Sequence, residues 1–290
     1  MAHSKFHHFP SPAKLNLFLH IVGRRANGYH ELETVFQFLD YGDDIAICVT
    51  EDSEITLLTP IAGVNNDDNL IVKAAKLLQK ETQIPLGAEI KLNKKLPMGG
   101  GLGGGSSNAA TVLIALNLLW QTKLTYQQLA ELGLTLGADV PIFILGSAAF
   151  AQGIGEQLTP VTPKEYIYLV TKPDCSISTQ AVFTAKELTR DTAKLNLNIS
   201  SIDQLIEQSH NDCQPLVIKH YPEVANLLAW LVEYAPSQMT GTGACIFSRF
   251  ESEQEARRVA DLLPQSVQSF VAKGVNQSSL HRYLASVELN

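Results

Sequence analysis

The chain predicts a two-domain α/β protein, and three features carry that reading. Its 290 residues exceed the length of one typical domain. Segments with a hydrophobic period of two and segments with a helical period alternate along the first half. A proline-rich stretch, Thr159-Pro160-Val161-Thr162-Pro163, then interrupts the pattern and sets the domains at 1–160 and 161–290.

The first element is a strand over residues 13–22. Ala13, Leu15, Leu17 and Leu19 alternate with Lys14, Asn16, Phe18 and His20, so one face is expected in the core and the other solvated. Asn27-Gly28 is a turn signal, and strands follow over Thr34–Leu39, Asp44–Val49 and Glu54–Leu58. Asp68 or Asn69 can cap a helix over Leu70–Lys80, where Leu70, Ala74, Leu77 and Leu78 share one face. A strand near Ala88–Asn93 leads into a glycine-rich loop. After it, Ser106, Ser107 and Asn108 offer N-caps for an apolar helix running from Ala109 to Trp120. Thr125-Tyr126-Gln127-Gln128 reads as a capping box for a helix ending at Leu136-Gly137. Ala148–Gly153 closes the half as a strand.

The second half opens with a strand over Tyr166–Thr171 and then turns mostly helical, most clearly over Glu223–Tyr234. Thr240-Gly241-Thr242-Gly243-Ala244 is a second glycine turn, leading to a strand at Cys245–Arg249. A helix over Glu253–Leu263 and a strand at Phe270–Lys273 follow. This order suggests a small α+β sandwich.

Composition excludes several classes. Hydrophobic residues make up 45% and charged residues 18%, ordinary for a globular protein. A net charge of −7 argues against a general nucleic-acid binder, whose affinity rests on clustered cations. Cys48, Cys175, Cys213 and Cys245 are widely spaced, which is neither a zinc framework nor a disulfide scaffold and suits a reducing cytoplasm. No segment approaches the ~18 uninterrupted apolar residues of a membrane span. The first ten residues lack a signal-peptide core, and their His3, His7 and His8 read as a mobile polar terminus rather than a metal site.

The richest signal is Pro97-Met98-Gly99-Gly100-Gly101-Leu102-Gly103-Gly104-Gly105-Ser106-Ser107, with six glycines in seven positions. Such a loop approaches a ligand closely, and the helix it feeds presents free N–H groups with a partial positive charge, a phosphate site. No Lys-Ser or Lys-Thr follows the last glycine, which excludes a Walker A loop. Gly99, Gly101 and Gly104 fit G-x-G-x-x-G, but no acidic residue lies between Asn108 and Ala130, where a dinucleotide fold needs one. His-Arg-Asp and Asp-Phe-Gly sequences are missing, against a protein kinase.

This loop with its following Ser-Ser-Asn-Ala-Ala resembles the ATP loop of the GHMP kinases. Two more signatures of that family stand in family order: Ser11-Pro12-Ala13-Lys14-Leu15-Asn16 near the start and Thr240-Gly241-Thr242-Gly243-Ala244-Cys245 near the end. The resemblance spans essentially the whole chain. It implies a ribosomal-protein-S5-like N-terminal domain, a ferredoxin-like C-terminal domain, and ATP with Mg²⁺ as its counter-ion. Pro12 to Leu17, Arg25-Ala26-Asn27-Gly28-Tyr29-His30, Leu136-Gly137-Ala138-Asp139-Val140-Pro141 and Gly241-Thr242-Gly243 together narrow the resemblance further. They point to members that phosphorylate the 2-hydroxyl of a cytidyl diphosphate sugar alcohol, 4-diphosphocytidyl-2-C-methyl-D-erythritol, for isoprenoid synthesis. Homoserine or mevalonate as acceptor, or a non-catalytic nucleotide sensor, are the alternatives. No membrane or nucleic-acid partner is expected, and the chain would act as a monomer or weak dimer.

For individual residues the pattern alone leaves the bland reading open. Lys14 and Asn16 fit a solvated strand face; the resemblance makes Lys14 the lysine at the reacting hydroxyl and Asn16 a substrate contact. Asp139 fits an N-cap, and in the resembled family it is the general base. Tyr29 and His30 fit an exposed loop, and Phe183 a core position. The resemblance instead sandwiches cytosine between the rings of Tyr29 and Phe183, with His30 hydrogen-bonding it and Thr179 nearby. Gly241 and Thr242 fit a plain turn or a loop closing over the substrate. Arg24, Arg25, Lys94 and Lys95 fit surface charge or added positive potential.

Overall fold

The computed structural model describes residues 5–26, 28–61, 63–195 and 201–288. His3 and Asn27 lie outside the described residues. Strand β1 (His7–Arg24) pairs antiparallel with β2 (His30–Thr50), and these two long strands form the spine of the molecule. The histidines at 7 and 8, expected in a loose terminus, begin β1 opposite Ile47 and Ala46. Two expected strands, 34–39 and 44–49, are one continuous β2. The Asp40–Asp43 stretch looks like a turn, but Gly42 sits opposite Pro12, where a Cβ would lie 2.2 Å from the Ser11 carbonyl oxygen. The missing side chain admits β1 at a bulge instead of breaking β2.

Strand β3 (Ile55–Leu57) runs parallel to β4 (Gly87–Asn93), and β4 pairs with β2. Helix α1 (Leu70–Thr82) is capped by Asn69, whose Oδ1 accepts from the Ile71 N–H at 3.0 Å. Helix α2 (Gly104–Leu119) packs beside α1. Helix α3 (Tyr126–Leu136) carries the reciprocal Thr125–Gln128 capping box, and α4 (Val140–Leu145) follows it. Strands β5 (Ala149–Gln152) and β6 (Gln157–Pro160) close this half; β6 occupies part of the stretch read as a linker.

The second half holds β7 (Ile167–Lys172), α5 (Thr179–Thr184), α6 (Ile202–Glu207), α7 (Gln214–His220) and α8 (Pro222–Leu231). It continues with β8 (Ser237–Met239), β9 (Ile246–Phe250), α9 (Glu253–Ala260), β10 (Gln268–Val275) and α10 (Ser279–Glu288). Sequence periodicity missed β6, β8 and α10. The first two are too short to show a period, and the last comes back to pack on β1 and the first core.

Strand β10 joins the halves, pairing with β7 along its length and with β2 through Gly274–Leu39 and Val275–Phe38. A buried cluster of Leu15, Leu17, Phe18, Val35 and Leu39 from β1 and β2 meets Tyr168, Val170 and Phe247 from β7 and β9. This junction explains why β1 lacks a solvated face: Lys14, Asn16, Phe18 and His20 are all under 5% exposed. Bulges between Pro12 and Lys14 and between Asn16 and Leu19 also reset the alternation. The second half covers one side of β1, and the glycine loop covers the other.

Candidate active site

Helix α2 begins five residues earlier than its apolar run, at Gly104. Ser106, Ser107 and Asn108 therefore lie inside its first turns and cap nothing. Gly103 occupies the N-cap with φ 71°, and no side chain caps the helix. The first intrahelical bond is from Ser107 N–H to the Gly103 carbonyl at 2.8 Å. Gly104, Gly105 and Ser106 thus turn their N–H groups out of the helix end, where a macrodipole of roughly +0.5 charge adds to them.

Residues 97–106 line a cleft of about 580 Å³, a volume suited to a small organic ligand. Lys14, Asn16, Asp139, Thr179, Phe183, Gly241 and Thr242 line the same cleft. The structure brings these predicted residues together from both halves of the chain. Ser107 is the exception within the loop. Its side chain is fully buried, and its hydroxyl lies 2.9 Å from that of Ser11, so it faces the packed side of the turn.

Lys14 sits at the cleft floor, 3% exposed. Its Nζ donates to Asn16 Oδ1 at 2.6 Å and to the Gly101 carbonyl at 3.0 Å, and lies 3.2 Å from Asp139 Oδ2. Asp139 holds the N-cap position of α4, yet its carboxylate makes no capping bond. It turns toward Lys14 and stays 35% exposed to the cleft. Asn16 donates through Nδ2 to Thr34 Oγ1, and its backbone N–H to Thr240 Oγ1 at 2.9 Å. The strand face read as solvated is a hydrogen-bonded floor.

The loop is held from behind by groups that periodicity did not single out. Buried Asp43 accepts from Lys94 Nζ at 2.6 Å, the Lys95 and Leu96 N–H groups at 2.8 Å, and Asn108 Nδ2 at 3.0 Å. Asn108 also donates to Ser11 Oγ. In front, the second glycine turn, residues 240–244, packs on the loop. Ala244 and Cys245 donate to the Gly99 and Gly100 carbonyls at 3.3 and 3.2 Å, and Asn211 Nδ2 holds the Met239 and Gly241 carbonyls at 2.8 Å. Burial pushes the Cys245 thiol up to about 12, so it packs and does not react. Arg25, offered as positive potential, is instead paired with Glu31 and Glu156.

Tyr29 and His30 depart from expectation. Neither lines the cleft, and Tyr29 is 58% exposed. The ring facing Phe183 is that of His30, stacked at 5.1 Å between centroids and 23° between planes. Two rings in direct contact leave no gap for a base. The tight turn at Gly28 swings Tyr29 outward while β2 pairing carries His30 in. Thr179 Oγ1 lies 3.0 Å from Thr242 Oγ1, linking α5 to the second glycine turn.

The GHMP kinases N terminal domain matches residues 69–147, which contain the glycine loop, and the GHMP kinases C terminal domain matches residues 190–267. A curated kinase from Colwellia psychrerythraea is 62% identical across 97% of this chain and 94% of its own length. The chain belongs to the GHMP kinases. It is an ATP-dependent kinase of that fold. The Colwellia relative is a 4-diphosphocytidyl-2-C-methyl-D-erythritol kinase, as is one from Pseudoalteromonas atlantica, 58% identical over 96% of both chains. A crystal structure of 4-(cytidine 5'-diphospho)-2C-methyl-D-erythritol kinase superposes with a TM-score of 0.81 at 30% identity, covering 92% of this chain and 99% of that one. The mevalonate kinase of Methanococcus jannaschii shares the GHMP kinase fold at TM-score 0.71 and 18% identity, covering 94% of this chain and 100% of that one. No helix among the described residues is long and apolar enough to cross a membrane.

Proposed function

We propose that this kinase transfers the γ-phosphoryl group of ATP to the 2-hydroxyl of 4-diphosphocytidyl-2-C-methyl-D-erythritol, in the non-mevalonate supply of isoprenoid precursors. The observation that carries the acceptor is the 62% identity across nearly the whole chain to a kinase of that name. The chemistry follows from the floor of the cleft. Asp139 is the general base, with a carboxylate open to the cleft and free of capping duty. It takes the hydroxyl proton as the acceptor oxygen bonds to the γ-phosphorus and the bond to the β-phosphate oxygen breaks, releasing ADP. Lys14, 3.2 Å from Asp139 Oδ2, orients that carboxylate and offsets the growing charge on the transferred group. The N–H groups of Gly104, Gly105 and Ser106 hold the phosphates of ATP. Asn16, Gly241, Thr242, Thr179 and Phe183 meet the acceptor.

Mg²⁺ would accompany ATP as the counter-ion of its phosphates. Among the described residues no three His, Cys, Asp or Glu side chains are grouped to cage a metal. The ion would therefore be held chiefly by phosphate and water oxygens, with Asp139 and Asp68 the carboxylates lining the cleft. The nucleotide is assigned to residues 1–160 and most acceptor contacts to residues 161–290. Four free, widely spaced cysteines favour a reducing cytoplasm.

The test is ADP release with the cytidyl acceptor, homoserine and mevalonate offered separately. Turnover with the cytidyl compound alone is expected. Turnover with either of the others in its place assigns a different acceptor, and none with any of the three leaves a nucleotide sensor.

A further inference from the structure

Asn211 stands between β1 and the second glycine turn, 2% exposed and outside the lining of the cleft. Its Nδ2 donates to the carbonyls of Met239 and Gly241, each at 2.8 Å, and its Oδ1 accepts from the Cys213 N–H at 2.9 Å. A carbonyl can only accept and an N–H can only donate, so these partners leave the amide one orientation. The residues beside it are tied to β1. The Leu19 N–H donates to the His210 carbonyl at 3.0 Å, the Asp212 N–H to the Leu19 carbonyl at 2.8 Å, and the Ile21 N–H to Asp212 Oδ2 at 2.6 Å. Asn211 thus carries the position of β1, the strand of Lys14 and Asn16, across to residues 239–241.

That grip decides which way the next N–H faces. Across a trans peptide the C=O and N–H point in opposite directions, and the Gly241–Thr242 bond is trans. With the Gly241 oxygen held at Asn211, the Thr242 N–H faces away from Asn211. Thr242 is 7% exposed, and among the described residues its N–H has no acceptor. Backbone donors this sheltered are nearly always paired, so this one calls for a ligand. Gly241 and Thr242 both line the cleft. Gly241 also stands beside the lysine: a Cβ there would lie 3.4 Å from Asn16 Oδ1 and from the Gly101 carbonyl oxygen, the two atoms to which Lys14 Nζ donates.

We propose that Asn211 is a positioning residue that turns the Gly241–Thr242 peptide so that the Thr242 N–H donates to a phosphate oxygen in the cleft, from the terminal phosphate of ATP or the diphosphate of the acceptor. The ATP source needs only the kinase activity, and the acceptor source rests on the cytidyl reading. Asn211 touches neither ligand and acts through the peptide it holds. A hydrogen bond to an ionised oxygen is about twice as strong as one between neutral groups, and a donor held in place beforehand needs no reorganisation when charge arrives. Aspartate at 211 fills the same volume but has no N–H to give. Its oxygens repel both carbonyls, which frees the peptide to rotate and take the Thr242 N–H with it.

NMR of the wild-type enzyme labelled with ¹⁵N-threonine reads the donor directly. The Thr242 amide, assigned by its loss in Thr242→Ser, should move downfield when a phosphate ligand binds. β,γ-imido-ATP and the cytidyl acceptor are added separately, and the ligand that moves the signal names the phosphate. A signal unmoved by either at saturation would overturn the proposal. Kinetics of Asn211→Asp then test the positioning, with Asn211→Ser, smaller and neutral, standing in if the buried carboxylate prevents folding. Where ATP moves the signal, kcat should fall about tenfold or more while KM for the acceptor stays within about twofold. Where the acceptor moves it, KM for the acceptor should rise about tenfold or more while KM for ATP stays within about twofold. Either variant loses stability whatever the role, so rates are read per folded enzyme. Wild-type kcat and KM values in that folded fraction would make Asn211 purely structural and refute the role. If the wild type phosphorylates no cytidyl acceptor, the acceptor reading fails, while the ATP titration still decides the Thr242 N–H.

Discussion

Gly101→Ala and Gly99→Ala form a matched pair that separates backbone strain from close contact in the glycine loop. Both residues have left-handed φ, 76° and 65°. An alanine pays about 1–2 kcal/mol in that region wherever it stands. At Gly99 a new Cβ meets nothing within 4 Å. At Gly101 it would lie 2.3 Å from the Thr240 carbonyl oxygen and 3.1 Å from its carbon. Backbone cannot rotate away as a side-chain tip can, so the loop and the second glycine turn must separate by about 1 Å. Forced shifts of this kind cost about 1–3 kcal/mol. Gly99→Ala should then lose about 1–2 kcal/mol and Gly101→Ala about 2–5 kcal/mol. Urea unfolding with m held equal reads the difference. Gly101→Ala should also raise KM for ATP more than Gly99→Ala, because the same carbonyl of residue 101 holds Lys14. Equal losses in the two variants would refute the packing of the second glycine turn onto the loop.

Asp43→Asn keeps the shape of the carboxylate but turns a donor toward Lys94 and Asn108, so a loss of about 3–5 kcal/mol is expected in urea unfolding; a loss below about 1 kcal/mol would remove Asp43 as the anchor of the loop. Stability should fall as pH drops below about 6.5. His20, His30 and His281 each bind a proton less readily in the fold than in the unfolded chain, chiefly through burial. The unfolded state then takes up protons the native state refuses, until pH reaches the lowered folded values. A Tm lower at pH 5.5 than at pH 7.5 is expected, and a flat or rising Tm would contradict the burial of these rings.

The glycine loop was legible because six glycines beside an apolar helix can do little else than approach a ligand, and the Thr125–Gln128 capping box was legible because it is wholly local. The face of β1 was not. Lys14 and Asn16 look solvated in any local window, since the residues that cover them, Gly101, Asp139 and Thr240, lie 87 or more positions away. Asp43 drew no notice for the same reason: its partners at 94–96 and 108 are distant in sequence. The start of α2 was misplaced because serine and asparagine favour N-caps, while here their side chains are drawn inward by Ser11 and Asp43. Arg190, whose Nε donates to His30 Nε2 at 3.0 Å, carried no local signal at all, since that ring lies 160 residues earlier in the chain.

Asp139 as the base beside Lys14 is tested most directly by a single-turnover measurement. Asp139→Asn is mixed, as its preformed ATP complex, with saturating cytidyl acceptor, and phosphoryl transfer is followed in one cycle. The rate should fall on the order of 10²-fold or more while ATP affinity changes little, because the amide cannot take the hydroxyl proton. Transfer at close to the wild-type rate would show that the proton leaves by another route and that the carboxylate facing Lys14 is not the base.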